Sequence, residues 1–227
     1  KSGLGPLVKM LADKGVELIA SGGTAQYIKS LGLKVTPLQE ITGNPEAFNG
    51  RMKSLSFQVS SSLLYKRDDP QDVAKAIELG IRPIDCVICN LYPFEDAAKG
   101  TDLLNIIENI DIGGPTMMRA AAKNFEHVLV CTSPSQYTEL EGVLSSESPK
   151  ISFSLRKKWA LEAFRLSAYY DGMVAQEFES RWGEETKTMC LSPKRSKVLR
   201  YGENPHQKAW LYPSSNDGVA QASLLQG

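Results

Sequence analysis

A chain of 227 residues can form one large domain with an appendage, and 42% hydrophobic with 23% charged residues is an ordinary globular composition. Its 26 basic and 26 acidic side chains cancel, so no overall field recruits nucleic acid or an anionic membrane, and any anion must be captured by a local site. No apolar run approaches the ~20 residues of a membrane-spanning helix and no signal-peptide pattern opens the chain, so the expectation is a cytoplasmic protein.

The opening at Lys1, already inside a helical pattern and without an initiator Met, is expected to follow upstream residues. Leu4, Leu7, Val8 and Leu11 recur at helical spacing, with Gly15 as a stop. A short apolar strand over 16–20 ends in Ser21-Gly22-Gly23-Thr24, and a helix then runs through Tyr27, Ile28 and Leu31 to Gly32. A further strand is expected around 33–35. Helix, strand, helix, strand is the alternation of an α/β sheet with crossover helices. Residues 36–67 are irregular, with Gly43, Asn44, Pro45, Asn49 and Gly50 marking loops. Val73, Ala74, Ile77 and Leu79 form one face of a helix that Gly80 stops.

Residues 84–91 make the best central-strand candidate, rich in isoleucine, valine and cysteine. Cys86 and Cys89 have CxxC spacing, but in an apolar strand alternate side chains point to opposite faces, so burial is preferred to metal or redox chemistry. Helices follow over 103–110 and from Thr116 to about Lys123, then a strand over 128–131 and a helix opened by Ser133-Pro134. A long amphipathic helix spans 154–179. After Arg181 the text turns polar, and 194–197 reads as a linker.

Four segments carry chemistry. The Ser21–Thr24 turn is either a helix cap or an anion site, where glycines admit the ligand and the helix start offers N–H groups. Arg51 and Lys53 fall on one side of an extended segment, or form a solvated surface pair. Asn90 and Tyr92 stand at the carboxyl end of the central strand, where open α/β sheets place ligands, though a packed aromatic is the commoner outcome for Tyr92. Asp111 precedes a glycine pair and a helix bearing Lys123, and by itself reads equally as a cap. Taken together the segments place hydroxyls, cations, a phenol and a carboxylate around one crevice.

These segments resemble the bifunctional purine-biosynthesis enzymes that are AICAR transformylase and IMP cyclohydrolase. The matching text is Ser21-Gly22-Gly23-Thr24, Gly50-Arg51-Met52-Lys53-Ser54-Leu55, Cys89-Asn90-Leu91-Tyr92-Pro93-Phe94 and the run from Ile110 to Asn124. Tyr170-Asp171 and the tail from Leu199 to Gln207 extend it. The resemblance implies a methylglyoxal-synthase-like α/β fold: a parallel sheet with flanking helices and a C-terminal helical extension. It implies a cyclohydrolase domain over 1–190, with the linker and start of a transformylase domain over 191–227.

The implied reaction is ring closure of formyl-AICAR to IMP with loss of water, without cofactor or metal, by a homodimer that binds neither nucleic acid nor membrane. By position, Lys1, Ser21, Gly22, Gly23 and Thr24 hold the 5′-phosphate, and Arg51, Ser54, Asn90, Gly113 and Gly114 line the base. Lys53, Tyr92, Asp111 and Lys123 carry the chemistry. Asp111 and Lys123 orient and deprotonate the carboxamide, while Lys53 and Tyr92 stabilise the oxyanion and protonate the departing oxygen. The family's histidines after the Arg-x-Lys motif are here Ser56 and Ser60, and a third, on the long helix, is Leu166. The alternative expectation is a regulatory or dimerisation domain of the same fold.

Overall fold

The computed structural model describes residues 3–92, 94–183, 187, 188, 190 and 197–212. The chain divides into two units, one of residues 1–93 with 107–167, the other of 94–106 with 168–227.

The first unit is built from parallel strand pairs and the helices that link them. α1 (Leu4–Asp13) buries Leu4, Leu7, Val8 and Leu11, the stripe expected from their spacing. β1 (Ile19–Ala20) leads into α2 (Gly22–Ser30), which returns the chain to β2 (Thr36–Pro37) parallel to β1. The second strand therefore pairs slightly later than expected, because its ladder starts where Thr36 donates to the Leu18 carbonyl at 2.8 Å.

The stretch read as irregular holds two helices, α3 (Leu38–Thr42) and α4 (Phe57–Leu64). Serine-rich text hid α4, since serine is a poor helix interior residue but a good cap. Ser56 accepts a hydrogen bond from the Val59 amide at 3.1 Å and so starts that helix. α5 (Pro70–Glu78) is opened by Asp69, which accepts from the Gln71 and Asp72 amides, with Pro70 in the first turn.

β3 (Cys86–Ile88) pairs in parallel with β4 (Leu129–Cys131). Between them come α6 (Phe94–Ala98), α7 (Leu103–Glu108) and α8 (Gly113–Lys123), and after β4 follow α9 (Pro134–Leu144) and α10 (Phe153–Trp182). α8 begins three residues before the expected Thr116, because Asp111 Oδ1 accepts from the Gly114 amide at 2.8 Å.

β4 shows how the core is layered. Leu129 and Cys131 pack with Leu7, Val8, Tyr137, Leu140 and Trp159, whereas Val130, and Val128 just before the strand, pack with Val59, Leu63, Met118 and Ala122. Alternate residues of one strand thus enter two apolar clusters, the signature of a sheet covered by helices on both faces. All three residues of β4 are buried, as a two-sided strand requires.

In the second unit the Phe94 ring meets Tyr170 edge to face, with centroids 6.0 Å apart. The Arg181 guanidinium donates to the Ala98 and Gly100 carbonyls at 3.2 and 2.7 Å, at the end of α6. β5 (Lys197–Leu199) and β6 (Ala209–Leu211) form an antiparallel pair in the tail, which holds secondary structure the sequence did not suggest. The linker expected over 194–197 lies outside the described residues except for Lys197, the first residue of β5.

Candidate active site

Four separate segments of the first unit converge, beginning at the β1–α2 turn. Ser21 is extended at the head of α2, and its hydroxyl makes no capping bond, so the turn is not a simple serine cap. Gly22 has φ +50, a left-handed backbone that disfavours any side chain, and a Cβ there would lie 3.3 Å from Lys53 Nζ. The Lys53 ammonium therefore overhangs the amino end of a nine-residue helix, where N–H groups and the helix dipole favour an anion.

Lys53 is threaded past Gly50, whose own Cβ would come within 2.8 Å of Lys53 Cε and whose φ is +86. Its Nζ lies 3.2 Å from Glu46 Oε2. The neighbouring Ser54 hydroxyl closes directly on Gly113, leaving no room for a side chain there. At Gly114 a Cβ would meet Asp111 Oδ2 at 2.6 Å and Leu91 Cδ2 at 2.9 Å, which ties the Asp111 loop to the end of β3. Asn90, just before Leu91, is hydrogen-bonded to the Tyr137 phenol, whose pKa burial pushes upward. Tyr92 is 66% exposed and is not a packed aromatic.

Arg51 is at the surface, forked onto Glu108, whose hydrogen bonds and charge raise the guanidinium pKa. Gly23 is exposed and Thr24 half-buried in the turn. Lys53, Ser56 and Asn44 line a cavity of about 340 Å³ beside the cluster. Lys1 lies outside the described residues.

Lys123 is not brought to this cluster. It ends α8, about 15 Å along the axis from Gly113, and lines a second cavity of about 630 Å³ with Lys66, Asp68 and His127. There His127 Nε2 faces Asp68 Oδ1 at 3.1 Å. Sequence reasoning missed Glu46 and Glu108, the carboxylates that hold Lys53 and Arg51. Glu108 is 57 residues from its partner, and no local pattern announces it.

Of the residues that stand for family histidines, Ser56 caps α4 with its hydroxyl, Ser60 lies half-buried within that helix, and Leu166 packs against the second apolar cluster. Burial pushes the thiols of Cys86, Cys89 and Cys131 up to about 12, and Asp111 adds to the effect at Cys89. Thiols so hard to ionise are poor nucleophiles and metal ligands. Among the described residues no group of three or more His, Cys, Asp or Glu side chains is placed to hold a metal. No helix among them is long and apolar enough to cross a membrane.

Residues 3–116 match the family model of the MGS-like domain, and residues 121–227 match that of the AICARFT/IMPCHase bienzyme. The bifunctional purine biosynthesis protein PurH of Rhizobium rhizogenes is 42% identical over 231 aligned residues, covering 100% of this chain and 43% of that protein. PurH of Brucella ovis is 43% identical with the same coverage. The chain thus spans about 43% of the length of the curated relatives it matches. The crystal structure of ForH superposes with a TM-score of 0.71 at 33% identity, over 79% of this chain and 93% of that one.

The parallel strand pairs with their flanking helices, and the family match over residues 3–116, define an MGS-like domain. The chain belongs to that family and, through its C-terminal half, to the AICARFT/IMPCHase bienzyme family.

Proposed function

We propose that the chain is an IMP cyclohydrolase, closing the ring of formyl-AICAR to give IMP with loss of water. One observation carries the reading. Lys53 stands over the Gly22 turn while its neighbour Ser54 closes on Gly113, so a phosphate anchor and a set of reacting groups share one face. Similarity to PurH proteins along the entire chain supports the same substrate class.

In this reading Ser21, Gly22, Gly23 and Thr24 receive the 5′-phosphate, joined by Lys1. Arg51, Ser54, Asn90, Gly113 and Gly114 frame the base. The carboxamide nitrogen attacks the formyl carbon, and charge develops on the formyl oxygen. As the carboxamide nitrogen gives up an N–H proton, Lys53 and the exposed Tyr92 phenol stabilise that oxygen and protonate it to a hydroxyl. A second proton then carries it off as water, while the former formamide N–H proton is lost to form the ring C=N bond. Asp111, fixed by the Gly114 amide, orients the carboxamide. Lys123, with Asp111, is assigned the removal of the carboxamide N–H proton, and because it lines the second cavity and not the Lys53 cluster, its variant is the sharper test.

The step uses no cofactor. Residues 1–190 make up the cyclohydrolase domain and 191–227 the start of a transformylase domain. The protein works as a cytoplasmic homodimer.

Incubation with formyl-AICAR, followed by the absorbance of IMP, is expected to show turnover. Lys53→Ala and Asp111→Asn are each expected to lower kcat by about 10²–10³, the scale of removing one preorganised group. Binding of IMP without any turnover refutes the enzyme and leaves a nucleotide-sensing domain of the same fold. Lys123→Ala with full turnover removes Lys123 from the set and leaves the cluster around Lys53 intact.

A further inference from the structure

Lys53 is held by a carboxylate outside its own motif. An isolated antiparallel bridge pairs Ala47 with Met52, each donating its amide to the other's carbonyl at 3.1 and 3.2 Å. Glu46 and Lys53 are the next residues outward on the two arms, so the bridge sets their side chains beside one another. The turn that closes it is strained, with Phe48 at φ 55, Asn49 at φ 54 and Gly50 at φ 86 in succession. Backbone of that kind persists where surrounding bonds over-determine it. Glu46 is engaged on both oxygens: Oε1 accepts from Gln39 Nε2 on α3, and Oε2 faces Lys53 Nζ, each at 3.2 Å.

The lysine side chain is 36% exposed and the glutamate 29%, an exposure at which a plain ion pair adds little stability. Location is a different matter. A lysine has a flexible four-carbon stem and three rotatable donors, and without a tether its ammonium has no fixed position. The carboxylate from one side and the Gly50 and Gly22 backbones from the others leave it one place to stand.

We propose that Glu46, itself fixed by Gln39, is a positioning residue that holds the Lys53 ammonium over the Gly22 turn. The carboxylate engages one face of the ammonium and leaves its other donors for the ligand. This inference rests on the catalytic reading of Lys53 given above.

The test is a double-mutant cycle on the whole chain with formyl-AICAR as substrate, using Glu46→Gln, Lys53→Ala and the double variant. Glu46→Gln keeps the size and the hydrogen bonding of the side chain but removes its charge. It is expected to lower kcat about tenfold with KM changed less than about twofold, because the loss is one of placement in the transition state. Lys53→Ala is expected to lose about a hundredfold, and the double variant no more than Lys53→Ala, since a positioning residue has nothing left to position. Gln39→Met, which frees the same carboxylate from the other end, is expected to lower kcat about threefold and to be silent in the Lys53→Ala background. It replaces Glu46→Gln should that variant fail to fold.

Additive losses, or an unchanged kcat in Glu46→Gln, overturn the positioning role while leaving Lys53 in the mechanism. Wild-type kcat in Lys53→Ala overturns instead the reading on which the inference rests.

Discussion

Gly114→Ala adds one methyl group where the structure has no room. The new Cβ would stand 2.6 Å from Asp111 Oδ2, 3.0 Å from Asp111 Cγ and 2.9 Å from Leu91 Cδ2. Gly114 is buried in the first turn of α8, so neither solvent nor a loop absorbs the displacement. Asp111 must swing away, and its 2.8 Å bond from the Gly114 amide goes with it. Overpacking of this kind costs about 1–3 kcal/mol, and the lost cap adds about 1 kcal/mol. The better helix propensity of alanine returns roughly 0.5–1 kcal/mol. The net is about 1–3 kcal/mol, or roughly 2–12 °C in melting temperature for a chain of this length.

Because Asp111 is the group displaced, turnover of formyl-AICAR is expected to fall by about a hundredfold. Gly142→Ala is the matched control: it lies in α9 with nothing within 4 Å of the new Cβ. It is expected to raise stability by roughly 0.5 kcal/mol and leave turnover unchanged. Thermal melts and steady-state kinetics on the two variants check both statements. A Gly114→Ala protein that melts at or above the wild type and keeps its kcat refutes the packing of Asp111 against the α8 entry.

Two further expectations concern stability. Ser56→Ala removes the cap of α4 and is expected to cost about 1 kcal/mol in chemical denaturation, with kcat unchanged; a large loss of activity at wild-type stability instead gives Ser56 a chemical task. The pKa of the Cys89 thiol is raised from 9.0 to about 12 by burial, so the unfolded chain loses that proton before the folded one does. Its contribution is therefore full below pH 9 and declines between pH 9 and 12, by up to about 1.4 kcal/mol per pH unit. Denaturation midpoints measured at pH 8 to 11 are expected to fall, and less steeply in Cys89→Val.

What was legible in the sequence is what local physics decides. The stripe of Leu4, Leu7, Val8 and Leu11 specifies α1 because helical spacing alone puts those side chains on one face. The apolar run around Cys86–Ile88 specifies a two-sided strand, and the Ser21–Thr24 turn marks the join of strand and helix. Motif order was enough for the family, since each motif is a short contiguous string. α4 escaped notice because serines carry no apolar stripe, and only burial of Val59, Ser62 and Leu63 against its neighbours reveals its inner face.

The site itself was a matter of tertiary structure. Nothing in the order of residues says that Ser54 closes on Gly113, or that Lys53 lies over Gly22 and not out in solvent. Nor does it say that Glu108 holds Arg51, or that α8 carries Lys123 away from Asp111 to a second cavity. The sequence by itself determined which elements form and which family they belong to, because periodicity, caps and contiguous motifs act over a few residues. Which side chains meet was decided only when the helices closed on both faces of the sheet. Contacts between residues tens of positions apart arise from packing, and packing leaves no local trace.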